Sequence, residues 1–486
     1  MTEFNPFAGA FQIAADIRAK KITARDTLEA YLERVERYNP DLNAIIFSDP
    51  EGARRRADDL DTMAARDEWA GPLHGVPMTI KESYNITGMP TTWGVPSLKD
   101  NYSDSNALSV DRLNAAGVNL FGKTNVPLLL SDWQSFNDIY GVTNHPWDLA
   151  LSPGGSSGGS AAALAAGMSG LDAGSDIGAS IRNPAHFCGI FGHKPSYGVI
   201  SPRGHAMPGA LTYADISVVG PLARTAKDLA IALDAMAGPD EIDGVGWRLE
   251  LPRPKKTRLS DFKIGVMLSE PGSTVDREMT DVLQALVDKI AQAGATISDS
   301  ARPDIDLYRA HELYVLLLRA ATSSRMKPAD IEAQQSKATA LDASDDSYYA
   351  RMLRGNTMGH SQWLQLNNER AHLRQRWAEY FEDYDLLLCP VGASAAQPHD
   401  HEGERWERMV TVNNERVLTT DQLFWAGISG VVYLPASVAP AGLTRSGLPV
   451  GIQIIGPYLH DHTCIEFARL IEENFGGFVP PPGYDS

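Results

Sequence analysis

The stretch "GGSSGGSAAALAAGMSGLDAGSDIGAS", residues Gly154 to Ser180, sets paired glycines and serines in a loop, then an alanine-rich run, then a second glycine-flanked serine. A phosphate-binding loop would need a lysine after its glycines, and none follows; the dinucleotide spacing G-x-G-x-x-G is absent too. A flexible Gly/Ser linker sits badly with the alanine run, which is a strong helix former. Gly154 to Gly158 does satisfy G-x-S-x-G, the nucleophile elbow centred on Ser156. That motif requires a strand before it, whereas "TNHPWDLALSPGG" carries two prolines and reads as loop. The elbow also needs an acid and a histidine downstream. A further reading uses more than one serine.

Working outward, residues 11–47 repeat apolar side chains at helical spacing, with Thr23 as an N-cap and Pro40 as a break. From Pro72 the pattern changes: Val76, Met78 and Ile80 alternate as in a strand, which puts Lys81 at the strand's end. Helix-like "ALSVDRLNAAG" leads into apolar "VNLFGKTN", and the alternation returns in "TAKDLAIALDAMAG" and "FKIGVMLSE". Alternation of this kind predicts α/β layering. Residues 239–260, rich in proline and charge, read as a surface connection. Residues 301–380 read as mostly helical and polar, either lying over a site or forming a surface excursion. "VVYLPASVAPAGLTRSGLPVGIQIIGP" predicts further strands of the same sheet, and "CIEFARLIEENF" a closing amphipathic helix.

The chain of 486 residues, 43% hydrophobic and 21% charged, is large enough for an extensive core. Its net charge of -18 argues against nucleic acid and anionic membrane surfaces as partners. The densest basic cluster, Arg54 to Arg56, lies in a helical pattern and reads as a solvated face. Three cysteines without a CxxC, no secretory signal and no run of eighteen apolar residues point to a cytoplasmic protein.

"GGSSGGSAAALAAG" continuing to "GSDIGASIRNPAHFCGIFGHKPSYG" resembles the diagnostic stretch of the amidase signature family. "GPLHGVPMTIKES", "GVNLFGKTN", "VGPLARTAKDLAIALDAMAG" and "GLPVGIQIIGP" resemble further family segments in the expected order, from about Gly71 to the C-terminal helix. The resemblance implies an α/β fold, one large domain with a mixed central β-sheet covered by helices on both faces. Within residues 1–486 the expected parts are an N-terminal helical segment (1–70), a catalytic core (71–240), a variable, mostly helical cover (241–380) and a C-terminal part completing the sheet (381–486).

The resemblance also implies hydrolysis of a carboxylic amide through an acyl-enzyme, with Ser180 as nucleophile, Ser156 beside a cis peptide as bridge and Lys81 as base. A lysine can accept the proton only if burial holds its pKa well below about 10.4. Backbone N–H groups of Ile177, Gly178, Ala179 and Ser180 are expected to form the oxyanion hole. Ser157, Asp176 and Arg182 are expected to orient Lys81 and the serine pair, although Asp176 and Arg182 could instead form an ion pair tying two loops together. Ala179 departs from the family's usual glycine; an alanine keeps its N–H but loses easy access to positive φ, and a mild narrowing of the site is expected.

No cofactor or metal is implied, and the expected partner is a small-molecule amide, with a homodimer as family habit. The alternatives are a glutaminase subunit of a tRNA-dependent amidotransferase, a non-catalytic binding protein with a degenerate site, and an esterase acylated at Ser156. His399/His401 and His460/His462 form H-x-H pairs in loop-like stretches and are expected to be exposed. Cys188 is expected to pack against the loop. Tyr314, Leu317 and Trp363 are candidates for lining a pocket, or for core.

Overall fold

A computed structural model describes residues 4–484. The N-terminal segment forms two helices, Ala10–Arg18 and Ala24–Leu42. Thr23 caps the second: its Oγ1 accepts the Asp26 N–H at 2.9 Å. Pro40 does not break this helix but sits in its last turn, where a missing N–H forfeits only one bond; Asn43, at φ 48°, ends it. The following residues are not helical as the apolar spacing predicts, because Ile45–Ser48 is a strand.

Two sheets build the interior. In the smaller, Asn119–Thr124 lies between Ile45–Ser48, antiparallel to it, and Pro77–Lys81, parallel to it. The larger runs Thr296–Ser298, Lys263–Val266, Leu386–Pro390, Pro449–Ile455, Ala436–Leu443, Phe191–Lys194, Val218–Ala223, Asp172–Asp176. The pairs on either side of Lys263–Val266 are parallel and the others antiparallel, so the sheet is mixed. Every residue of Asp172–Asp176, Val218–Ala223, Leu386–Pro390 and Pro449–Ile455 is buried. Since successive side chains point to opposite faces, both faces must be covered, and helices cover them. The C-terminal hairpin of Ala436–Leu443 and Pro449–Ile455 occupies the middle of this sheet.

The sheets meet along a seam. Met78 of the small sheet bridges Leu171 in parallel, just before Asp172–Asp176 of the large one. The Thr79 N–H is shared between Ser169 Oγ at 3.0 Å and Leu171 O at 3.3 Å, and Thr79 Oγ1 donates to Asp172 Oδ2 at 2.7 Å. Helix Gly158–Ala165 is buried throughout, and its first turn lies beside this seam. Residues 301–380 contain four helices, Leu307–Ser323, Pro328–Ala340, Tyr348–Asn356 and His360–Asp383.

Candidate active site

Three elements converge at the seam. Lys81 is the last residue of strand Pro77–Lys81; Ser156 and Ser157 precede helix Gly158–Ala165; Ser175 and Asp176 end strand Asp172–Asp176, from which a loop carries Ser180. Lys81 is fully buried and its ammonium nitrogen reaches Ser156 Oγ at 2.7 Å, Ser157 Oγ at 3.0 Å and Ser175 Oγ at 3.0 Å. Burial draws its pKa down to about 7, against the opposing pull of the Asp176 and Asp172 carboxylates. Asp172 is itself raised to about 7 by burial, with the Thr79 hydrogen bond working against that rise.

The peptide Gly155–Ser156 is cis, and Gly154 before it stands at φ 85°. Glycine supplies close approach as well as unusual φ here: a Cβ on Gly174 would lie 2.5 Å from Ser157 Oγ. Tyr84 OH donates to the Gly174 carbonyl at 2.6 Å, fixing the strand beneath the lysine.

Ser180 is joined to the serine pair through its backbone, the Ser157 N–H donating to Ser180 O at 3.1 Å. Among the described residues no hydrogen bond links Ser180 Oγ to Ser156 Oγ. The loop 176–182 is held by Asp176, whose carboxylate accepts from Ala179 N–H at 3.0 Å, Ile181 N–H at 3.1 Å and both Nε and Nη2 of Arg182 at 3.0 and 2.8 Å. Arg182 and Asp176 are both fully buried; the guanidinium also donates to Ser429 Oγ at 2.9 Å and Gln453 Oε1 at 2.6 Å. Burial acts to raise the Asp176 pKa, and the neighbouring guanidinium more than offsets it. Of the three residues expected to orient Lys81, Ser157 touches it directly, whereas Arg182 acts on the loop.

Two expectations about the oxyanion loop change. Ala179 N–H is committed to Asp176, so the amides left without a protein partner among the described residues are those of Ile177, Gly178 and Ser180. Ala179 also takes φ 67°, the left-handed conformation that glycine adopts freely, so the substitution is a local backbone strain rather than a mild narrowing.

Around this loop, Trp133 Nε1–H donates to Gly178 O at 2.6 Å and Tyr314 OH to Ile177 O at 2.8 Å. A cavity of about 260 Å3 opens beside Trp133, with Asp132, Arg408 and Gln422 among its walls. Tyr314 thus abuts the loop, Leu317 is core, and Trp363 lies elsewhere, stacked on His360. The sequence reading missed Ser175, although it stands inside the opening stretch; on a strand it is one residue from Asp176 and points to the other face, toward Lys81.

Cys188 is buried beside Pro153, and burial pushes its thiol pKa up. His460 is exposed, but His462 is buried at 2.9 Å from Asp234, contrary to the expected exposure. His399 and His401 are partly buried, their rings 5.3 Å apart. Among the described residues no group of three or more His, Cys, Asp or Glu side chains is placed to hold a metal, and no helix is long and apolar enough to cross a membrane.

Comparison with known proteins shows the family of the chain. The family model described as Amidase matches residues 26–465. An acylamidase of Rhodococcus erythropolis is 32% identical over 97% of this chain and 96% of its own length. An indoleacetamide hydrolase of Bradyrhizobium diazoefficiens is 32% identical over 96% of this chain and 86% of its own. An A subunit of glutamyl-tRNA(Gln) amidotransferase, from Methylobacillus flagellatus, is 31% identical over 95% and 96%. The crystal structure of a bacterial aryl acylamidase of the amidase signature family superposes with a TM-score of 0.80, covering 97% of this chain and 96% of that one at 24% identity. The chain belongs to the amidase signature family and is an amide hydrolase.

Proposed function

We propose that Ser180 is the nucleophile, Ser156 the hydroxyl that relays its proton, and Lys81 the base that receives it. The observation carrying this reading is the buried Lys81 at 2.7 Å from Ser156 Oγ, with a pKa brought down to about 7. At neutral pH a substantial fraction of such a lysine is uncharged and can accept a proton.

Ser180 Oγ attacks the amide carbonyl while its proton passes to Ser156 Oγ and the Ser156 proton to Lys81 Nζ. A hydroxyl can donate and accept at once, which suits Ser156 to the middle position. The developing oxyanion is met by the N–H groups of Ile177, Gly178 and Ser180. Lys81 then returns the proton through Ser156 to the leaving nitrogen, the C–N bond breaks, and water attacks the acyl group along the same route. Substrate binding closes the distance between Ser180 and Ser156, as catalytic hydrogen bonds commonly tighten only in the complex. Ser157 and Ser175 hold the lysine in line. Residues 241–380 act as the variable cover over the core of residues 71–240, and the substrates are small amides of the kind named for the acylamidase and indoleacetamide relatives.

Intact-mass analysis and peptide mapping after a fluorophosphonate reagent test the assignment. A single adduct on Ser180, absent in Ser180→Ala and much slowed in Lys81→Ala, is expected. An adduct on Ser156 that persists in Lys81→Ala would overturn the triad. A second reading, the glutaminase subunit of a tRNA-dependent amidotransferase, is favoured by the A-subunit relatives. It requires glutamine hydrolysis that rises when partner subunits and charged tRNA are added, whereas the first reading requires hydrolysis of simple amides by the chain alone.

A further inference from the structure

Arg325 follows the helix Leu307–Ser323 and lays its guanidinium over the Trp93 ring, 4.8 Å from the centroid. Nη1 donates to Leu129 O at 3.1 Å; its other donors meet no protein acceptor among the described residues. It borders a cavity of about 470 Å3, with Trp93 and His205 at one side and Met207 and Ala321 among the walls. Trp93 is 2% exposed, and its Nε1–H is buried without a partner.

Among the described residues no carboxylate answers this cation. Asp215, on the cavity's wall, is taken by Arg370 Nη1 at 2.7 Å and by Tyr433 OH. Glu82 accepts the N–H groups of Thr92 and Trp93. The chain has 61 acidic residues against 43 basic ones, so the lack is local. Burial alone draws the guanidinium pKa down to about 10, with no acidic neighbour acting against it. A partly buried charge held only by a ring face and one carbonyl has donors left for an anion, and a planar carboxylate fits a guanidinium fork.

The cavity's walls are tied to the reaction centre by two routes. Leu129 N–H donates to Trp93 O at 2.8 Å, and the same segment continues to Trp133, which holds Gly178. On the other side His205 packs edge-on against Tyr84 at 4.9 Å and lies 2.8 Å from Ser83 Oγ, the two residues being close after Lys81 in the chain. Arg325 is near enough for its charge to contribute to the lowered pKa of Lys81.

We propose that Arg325 is a specificity-determining residue that receives the free carboxylate of a half-amide, a substrate with an amide at one end and a carboxylate at the other, with Trp93 Nε1–H as a second donor. The inference rests on amide hydrolysis at Ser180 as proposed above.

The test pairs turnover with binding. Ammonia release is measured for malonamic, succinamic and glutaramic acids and for the neutral amides butanamide and pentanamide. Calorimetry follows malonate, succinate and glutarate binding to Ser180→Ala. Wild type should prefer at least one half-amide over the neutral amides. Arg325→Gln should lower that preference in kcat/KM by about 10- to 100-fold, the range of a charge-assisted hydrogen bond. Arg325→Lys, which keeps charge but not the fork, should recover part of it. In the Ser180→Ala background, Arg325→Gln should weaken dicarboxylate binding by a similar factor. An unchanged preference in Arg325→Gln, or no dicarboxylate binding that depends on Arg325, overturns the proposal. Arg325-dependent binding together with a fluorophosphonate adduct away from Ser180 would instead overturn the nucleophile and leave the carboxylate site standing.

Discussion

Lys81 illustrates how a single side chain can be given opposed tasks. Its burial costs stability because the unfolded chain holds the proton up to about pH 10.5 while the folded protein releases it near 7. The same shift suits it to the proposed role of base. The rate of Ser180 labelling by a fluorophosphonate is therefore expected to rise with pH and level off above an inflection near 7, and a flat profile between about pH 5.5 and 8.5 would remove Lys81 as base. The linkage has a definite sign. A depressed folded pKa means that stability is complete above the unfolded value and is lost as pH falls toward 7, so wild type should gain on Lys81→Met by about 2 kcal/mol between pH 7 and 9 in urea titrations. Ala179 sets a second balance at this scale. At φ 67° an L side chain costs about 1–2 kcal/mol, whereas glycine would lose about 0.8 kcal/mol of methyl burial and about 0.5–1 kcal/mol of chain entropy. Ala179→Gly should thus stay within about 1 kcal/mol of wild type. Ala179→Val, which adds a β-branch to the same φ in a fully buried position, should destabilise by more than about 2 kcal/mol.

Among the elements, the loop 176–182 carries the greatest load, since it offers the free amides and the Ser180 hydroxyl from one turn of chain. Asp176 and Arg182 brace it without solvent contact. Removing one partner of such a pair leaves the other charge buried, and Arg182→Met is expected to cost about 3–5 kcal/mol by urea denaturation and to abolish labelling. A loss below about 1 kcal/mol would mean that the backbone N–H groups alone hold Asp176. Part of this element is legible in the sequence: the small residues of the opening stretch mark the loop, and Ser156 and Ser157 lie within hydrogen-bond reach of Lys81, with Ser180 joined to them through its backbone carbonyl. What was hidden has physical causes. Strand Asp172–Asp176 contains no β-branched residue, and even a Cβ at Gly174 would crowd Ser157, so β propensity gives no signal there and Ser175 is not marked by the sequence. Pro40 looked like a helix break because a proline's position relative to the last turn is decided by where the chain turns next, at Asn43. The sequence places Ala179 N–H among the oxyanion donors because only the fold brings the Asp176 side chain back onto it.

For the whole molecule, the site exists only where two sheets abut. Lys81 comes from the three-stranded sheet, Ser175 from the edge strand of the eight-stranded sheet, and Ser156 from the start of the helix beside both. Helical and strand periodicities announce each part but carry no information about which sheet a strand joins, so the seam was not legible from the sequence. Thr79 is one of its side-chain ties, donating to Asp172 Oδ2 from a position two residues before Lys81. Replacing it by valine keeps the shape and the β propensity but leaves a fully buried carboxyl without that donor. The loss should be about 1–3 kcal/mol in stability. Asp172, already raised to about 7, should hold its proton more tightly, because the bond from Thr79 favours the charged form. If the seam also sets the lysine's position, Thr79→Val should slow Ser180 labelling well below wild type at a pH and temperature where the variant remains folded, and Thr79→Ser should restore it. Wild-type labelling in a destabilised Thr79→Val would show instead that the three hydroxyls around Lys81 position it unaided, and that the seam serves only to hold the sheets together.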